Sequence, residues 1–196
     1  HASGKLLFNC RIIPNRGSWL DFEFDPKDLM YFRIDRKRKL PITTFLYALG
    51  YSKKEILDLF YDFKTFSLHK EKNTWQTKFN PDEYKRSIKL RNDLINFKDG
   101  KKLLKKGSKI NFVIAKKLFD DGLKEVSHTA DFFVGKYIKE DLVHPETKEV
   151  FINSGSVITQ ELLDKIIEYK INTIQIANID PVNKGPYLID TLNIDK

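Results

Sequence analysis

The sequence is poor in residues that build disulfide or metal scaffolds, with one cysteine, Cys10, and four histidines in 196 residues. A single cysteine excludes an internal disulfide framework and is typical of a reducing compartment. Because unpaired cysteines are usually buried, and Cys10 follows the apolar Leu6, Leu7 and Phe8, we predict a small core residue and not a nucleophile. The histidines show neither paired-histidine nor Cys-x-x-Cys spacing, so no zinc site is predicted.

Long apolar runs and known catalytic motifs are also missing. No stretch reaches the roughly 18 apolar residues needed to span a bilayer, and the start of the chain has no signal-peptide pattern. A glycine-rich phosphate loop, a nucleophile elbow and a His-Glu-x-x-His metal motif are all absent. We therefore expect no membrane partner and no catalytic residue in this chain.

What the sequence has in abundance is positive charge. Its formal net charge of +8 favours a polyanionic partner such as nucleic acid, although a lysine-rich solvated surface would give the same total. With 41% hydrophobic and 13% aromatic residues the chain can also bury a core, in one domain or two modest ones. It starts at His1 instead of methionine and stops at Lys196 without a terminal signal, and we interpret it as a piece of a longer protein.

The most regular pattern lies at residues 18–25. Apolar residues at 20, 22 and 24 alternate with acidic residues at 21, 23 and 25, which is typical of a half-buried strand. Further strands are predicted over 5–13 and 29–35. Because short, turn-rich links join the three, we expect an antiparallel meander.

Two helices are predicted after this meander. Pro41 begins the first and Gly50 ends it, in agreement with the usual preference for proline at helix starts and glycine at helix ends. Ser52 and Glu55 form a capping box for the second. The tight link between them predicts a helical hairpin.

The pattern changes after about Phe63. Strands are predicted over 65–69 and 74–79, followed by a lysine-rich stretch over 85–117. Residues 104–110 then match residues 152–158, an offset of 48.

Each matching segment leads into a helix and then a strand, over 123–126 and 171–174. Asn111 and Thr159 are expected N-caps, and Gly122 a C-terminal cap. The pattern predicts an α+β module with two strand–turn–helix–strand repeats, although a match of only two copies also arises by chance.

One carboxylate cluster is a candidate metal site. Asp21, Glu23 and Asp25 share a strand face and could hold Mg²⁺. We favour the simpler interpretation, the solvated face of an amphipathic strand, because no further acidic or histidine ligand lies nearby in the sequence.

A basic run at residues 33–39 lies between a strand and a helix. Arginines there offer paired donors to phosphate and lysines offer point charges. Trp19 adds a flat surface on which an unpaired base could stack. Cations beside an exposed aromatic ring are typical of proteins that bind single-stranded nucleic acid. A core tryptophan and a solvated basic face are equally consistent with the spacing.

Three segments together resemble the beta subunit of bacterial DNA-dependent RNA polymerase. They are Arg11–Pro14, Arg16–Asp28 and Arg33–Pro41, which are similar to its N-terminal region almost letter for letter. Gly185–Leu192 resembles the point where that family's chain returns to the same domain. The intervening residues are similar to a variable insertion of the family.

The resemblance implies the lobe of the beta subunit, one wall of the downstream DNA channel. It implies that Trp19 lies against the non-template strand where the duplex is melted, with Asp35, Arg36 and Lys37 near the same strand. With Arg38 from the basic run, these five are the candidate DNA-binding residues.

The resemblance also implies partners. They are the non-template strand, the downstream duplex, the alpha, beta-prime and omega subunits, and a sigma factor, in the bacterial cytoplasm at the nucleoid. The catalytic Mg²⁺ belongs to the beta-prime subunit in that family. We therefore expect no cofactor here and no nucleotidyltransferase activity from this chain alone.

We predict an α+β fold with a discontinuous first domain. The lobe domain is expected over 1–62, the inserted α+β module over 63–180, and the return segment over 181–196. The alternative function is a freestanding basic module that binds nucleic acid or another protein.

Overall fold

The structure is a computed structural model that describes residues 1–2, 4–69, 74–179 and 185–195. Its helices are α1 (Ile42–Ala48), α2 (Lys53–Phe60), α3 (Phe112–Asp120), α4 (Gln160–Glu168) and α5 (Tyr187–Ile194). Its strands are β1 (Asn9–Ile12), β2 (Leu20–Phe24), β3 (Met30–Ile34), β4 (Leu40–Pro41), β5 (Phe63–His69), β6 (Thr74–Lys78), β7 (Ile88–Lys89), β8 (Leu94–Asn96), β9 (Lys102–Leu104), β10 (Lys109–Ile110), β11 (Glu125–His128), β12 (Leu142–Val143), β13 (Val150–Ile152) and β14 (Thr173–Ala177). The fold is therefore mixed α+β, with antiparallel sheets throughout the described strand pairs.

The first sheet is a meander of four strands in the order β1-β2-β3-β4. The alternation in β2 turns Leu20 and Phe22 toward a core, where Phe22 meets Phe45 of α1 edge to face at 6.1 Å. The predicted first strand is shorter than expected, since β1 covers only Asn9–Ile12. The prediction that Cys10 is buried is wrong, because β1 is the edge strand and all four of its residues are exposed.

The two helices predicted after the meander form, as α1 and α2. Gly50, at φ +94°, ends α1, and its N–H donates to the carbonyl of Tyr47 at 2.9 Å. The side chain of Ser52 accepts from the N–H of Glu55, and the Glu55 carboxylate accepts from the Ser52 N–H at 2.8 Å. This closed capping box satisfies two of the amide groups that a helix start leaves free.

A sheet of six strands follows in the order β14-β5-β6-β11-β8-β9. Its outermost strands come from distant parts of the chain, so its order could not be read from local sequence. One face packs on a second core around Phe66, Trp75 and Phe133. A third core lies around Leu94 and Ile110 beneath α3.

Residues 88–128 and 136–176 share several hydrogen bonds at positions 48 apart. The matching pairs, donor first, are Leu90–Ser108 with Ile138–Ser156, Gly107–Leu90 with Gly155–Ile138, and Lys106–Asp93 with Ser154–Asp141. The strand partners follow the same offset, with Leu94 opposite Leu104 and Leu142 opposite Ile152.

The helices of these two halves also start and end alike. Asn111 and Thr159 each accept the amide of the residue three positions on, at 2.9 and 3.3 Å. Gly122 and Lys170 follow the two helices at φ +104° and +51°. The strands then begin two residues later than predicted, because this helix-ending turn occupies residues 121–124 and 169–172.

The first core joins the two ends of the chain. Leu188, Ile189 and Leu192 of α5 pack with Phe32 and Ile56. The predicted boundary at residues 180 and 181 lies outside the described residues. None of the helices described has the length and hydrophobicity needed to cross a membrane.

Candidate nucleic-acid interface

Two backbone contacts fix Trp19 at the entry of β2. Its N–H donates to the Asp35 carboxylate at 2.8 Å, and its carbonyl accepts from the Asp35 N–H at 2.9 Å. A hydrogen bond from the Ser18 side chain, with that from Trp19, holds the pKa of Asp35 below its usual value. Asp35 therefore acts on the backbone that carries the indole ring.

Arg36 lies in a turn with unusual backbone angles. Asp35 and Arg36 have φ of +50° and +58°, and the Lys37 N–H closes the turn on the Ile34 carbonyl at 3.0 Å. Positive φ at both central residues is typical of a type I′ turn, the tight turn that joins two antiparallel strands. A left-handed conformation costs a non-glycine residue roughly 1–2 kcal/mol, so the turn stores strain where Arg36 is presented.

The Trp19 ring is exposed and has two guanidinium groups beside it. The ring is 39% exposed, whereas Trp75 is the core tryptophan at 1%. The guanidinium carbons of Arg11 and Arg36 lie 5.3 and 5.5 Å from the Trp19 ring centroid, within the range of cation–π attraction. The structure thus brings together an aromatic surface and two cations.

Arg11 is a site residue that the sequence analysis did not identify. It comes from β1, where the register sets it opposite Asp21. Its Nε also forms an ion pair with the Asp21 carboxylate. Arg11 is near Trp19 because β1 pairs with β2. Predicting this proximity requires the register of the two strands, which the local sequence does not contain.

The basic run divides into paired and free cations. Arg33 and Lys39 both bind the Glu23 carboxylate, at 3.2 and 3.1 Å. Partial burial raises the pKa of Glu23, but the hydrogen bond and charge of Lys39, together with those of Arg33, outweigh it and lower that pKa. Among the described residues Arg36 and its neighbours Lys37 and Arg38 form no ion pair within 4 Å, and all three are exposed.

The three carboxylates of β2 and its end are engaged by the protein. Asp21 binds Arg11, and Glu23 binds two cations of the basic run. Asp25 accepts the amides of Lys27 and Leu29 at 2.8 and 2.9 Å. Within the part of the chain that the structure describes, no group of three or more metal-ligating side chains is found.

An open cavity of about 480 Å³ is lined by residues of β1, β2 and β3 and by Arg36. Arg11 and Arg36 line it and also lie beside the indole. Arg33, Asp21 and Glu23 complete its polar walls. Because Arg11 pairs with Asp21 and Arg33 with Glu23, Arg36 is the arginine of this lining that forms no ion pair among the described residues.

Comparisons with known proteins give one consistent family. The family model described as RNA polymerase Rpb2, domain 2, matches residues 7–184. A DNA-directed RNA polymerase subunit beta from Jannaschia sp. (strain CCS1) is 42% identical over 207 residues, covering 100% of this chain and 15% of that protein. Those of Rickettsia massiliae (strain Mtu5) and Rickettsia rickettsii (strain Sheila Smith) are 45% identical over 196 residues, covering 100% of this chain and 14% of each protein. The chain therefore spans only a small part of the relatives it matches.

Proposed function

The chain belongs to the RNA polymerase Rpb2 domain 2 family, and from this membership we propose that it is a DNA-contacting part of the beta subunit of a DNA-directed RNA polymerase. In this role it forms part of the lobe that lines the downstream DNA channel. The sequence identity of 42% and 45% to beta subunits, which extends along the whole chain, supports the assignment.

The observation that carries the DNA contact is the exposed Trp19 ring with Arg11 and Arg36 beside it. We propose that an unpaired base of the non-template strand stacks on Trp19, an interaction worth roughly 1–3 kcal/mol. Arg36, Lys37 and Arg38 bind the phosphates that flank it.

Asp35 has a positioning role in this proposal. Because it is an anion, it would repel the phosphates that the neighbouring cations attract. Its bond to the Trp19 backbone instead fixes the indole and the tight turn that presents Arg36.

The catalytic metal and the nucleotidyltransferase activity belong, in this proposal, to the complete polymerase. The partners are the alpha, beta-prime and omega subunits and a sigma factor, and the location is the bacterial cytoplasm at the nucleoid. Purified alone with DNA, nucleoside triphosphates and Mg²⁺, the chain is expected to synthesise no RNA. Template-dependent synthesis by the chain alone would contradict this division of roles.

The stacking contact is tested in the assembled polymerase. We expect Trp19→Ala to shorten the lifetime of the promoter open complex by about tenfold, from a loss of roughly 1–3 kcal/mol, while Trp19→Phe keeps most of it. Arg36→Gln should instead reduce the dependence of DNA binding on salt. A variant with one phosphate contact fewer releases fewer counterions when it binds DNA. An unchanged lifetime in Trp19→Ala would end the stacking proposal.

The length of the reading frame distinguishes the freestanding alternative from the polymerase assignment. A reading frame several times longer than this segment supports the polymerase assignment. A frame that ends near Lys196 would favour an independent nucleic-acid-binding module.

We also propose that residues 88–128 and 136–176 are two copies of one structural unit. The matching hydrogen bonds, caps and strand pairs at an offset of 48 support this duplication. The first copy supplies β8, β9 and β11 to the sheet of six, and the second copy supplies β14.

A further inference from the structure

The positive charge of the module is concentrated in one of its two halves. Residues 88–128 have 11 lysines and arginines against 5 acidic residues, a net charge of +6. Residues 136–176 have 5 against 7, a net charge of −2. The backbone bonds that the two halves share do not depend on these charged side chains.

Part of that charge lies in one hydrogen-bonded unit, which we call the cationic corner. Leu90 of this unit exchanges backbone hydrogen bonds with Gly107 and Ser108, at 2.8 and 2.9 Å, and so ties a turn to β7. Its five exposed cations are Lys89, Arg91, Lys105, Lys106 and Lys109. Among the described residues none of the five forms an ion pair within 4 Å.

Two of these cations lie opposite each other in a strand pair, where their like charges repel. Lys89 of β7 lies directly opposite Lys109 of β10, so the two side chains project from the same face of the strand pair. Like charges directly opposite each other destabilise a strand pair. Among the described residues neither lysine forms an ion pair within 4 Å, and an anionic ligand on that face would offset the repulsion.

The lysines of the turn are not needed for its shape. The Lys106 N–H donates to Asp93 at 2.6 Å, and in the other half the Ser154 N–H donates to Asp141 at the same distance. Asn153 and Ser154 thus form this turn where the first half has lysines.

We propose that the cationic corner binds the sugar–phosphate backbone of duplex DNA, at a surface separate from Trp19. Lysines are suited to sequence-independent phosphate contact, because each is a compact charge without the planar fork that reads bases. The choice of DNA over an acidic protein rests on membership of an RNA polymerase family. The surface goes beyond the proposed Trp19 site, which takes an unpaired base.

The matched test replaces two lysines with the residues of the other half. We expect Lys105→Asn with Lys106→Ser, in the full 196-residue chain, to weaken binding of a labelled 20-base-pair duplex. The slope of log affinity against log salt should fall by about 1.8, from about 0.9 for each phosphate contact. The control, Lys148→Asn with Lys165→Gln, removes the same charge from the other half and should leave the slope nearly unchanged.

A second pair of substitutions removes the opposed lysines. Lys89→Gln with Lys109→Gln should reduce the same slope and raise the melting temperature, since it removes a repulsion. Weaker binding with higher stability cannot come from misfolding. This variant therefore decides the proposal even if the first pair disturbs the turn.

Two further probes separate the outcomes. A single-stranded oligonucleotide tests the Trp19 site. If Trp19→Ala loses binding of this oligonucleotide and keeps binding of the duplex, the result supports the cationic corner as a separate site. The proposal is overturned if neither lysine pair changes the duplex slope more than the control does. It is also overturned if a polyglutamate peptide, and not the duplex, depends on these lysines, because the partner would then be an acidic protein.

Discussion

At the scale of single residues, the two tryptophans have opposite environments. Trp75 is 1% exposed and meets Phe133 edge to face at 5.1 Å, whereas Trp19 is 39% exposed between arginines. Burial therefore assigns Trp75 to stability and leaves Trp19 available to a ligand.

Alanine substitutions should show this contrast in thermal unfolding. We expect Trp75→Ala to lose about 3–5 kcal/mol of unfolding free energy, the usual cost of a cavity of this size. Trp19→Ala should stay within about 1 kcal/mol, since surface changes cost little. Calorimetry of both variants checks the ordering. Equal losses would mean that Trp19 supports the fold and would weaken the stacking proposal.

His128 should make the stability of the chain sensitive to acid. Burial, followed by the charges of Lys64 and Lys136, lowers the pKa of His128 from 6.5 to about 4. Between these values the unfolded chain binds the proton and the folded chain does not, so stability falls as the pH drops from 6.5 towards 4. The full difference is about 3 kcal/mol at 1.36 kcal/mol per pH unit.

The measurement is urea unfolding at several pH values, with His128→Leu as the control. The stability of the wild type relative to this variant should decrease below pH 6.5 and level off below pH 4. A constant difference across this range would show that the pKa of His128 is the same in the folded and the unfolded chain.

Residue environments were the hardest feature to predict. Cys10 was expected in the core because its neighbours are apolar, but an edge strand leaves it exposed. Arg11 was overlooked because its distance to Trp19 depends on pairing between strands. Both errors have one cause, since exposure and proximity are set by tertiary contacts.

At the scale of secondary-structure elements, α3 and α4 occupy equivalent positions 48 residues apart, and each ends in the same type of turn. The Gly122 and Lys170 amides donate to Phe119 and Ile167 at 3.1 Å each, and both residues have positive φ. Glycine adopts this conformation without steric cost, whereas lysine does not.

Reciprocal substitutions should therefore have opposite signs. We expect Lys170→Gly to stabilise the chain by about 0.5–1 kcal/mol, the steric relief less the added entropy of the unfolded glycine. Gly122→Lys should destabilise it by about 1 kcal/mol. Chemical denaturation of both variants tests the pair, and two changes of the same sign would contradict it.

Elements with local signals were predicted well, and those without were not. The capping box at Ser52 and the caps at Asn111 and Thr159 are present, because each depends on residues within one turn. The first strand is shorter than its apolar pattern, because a strand extends only as far as its partner pairs with it.

At the scale of the whole molecule, residues 62–63 lie next to residues 177–178. Phe63 of β5 lies opposite Ala177 of β14, and the Asn178 N–H donates to the Asp62 carbonyl at 2.8 Å. Beyond this point the Tyr61 hydroxyl donates to the Gly185 carbonyl at 3.1 Å and holds the return of the chain to α5. The change of composition after Phe63 coincides with the start of β5, whereas the pairing of β5 with β14 joins strands that are distant in sequence and was not predicted.

Because these two points are adjacent, the proposed inserted module should be removable. We expect a chain in which residues 63–177 are replaced by a Gly-Ser link between Asp62 and Asn178 to unfold cooperatively, since a short link closes this gap at little entropic cost. It should be less stable than the full chain, because the first core loses Ala177 and the Tyr137 hydroxyl that donates to Asp190 at 2.8 Å. Thermal unfolding followed by circular dichroism gives the measurement. A deletion chain without a cooperative transition would show that residues 1–62 depend on the module for their fold, and the proposed discontinuous domain would fail.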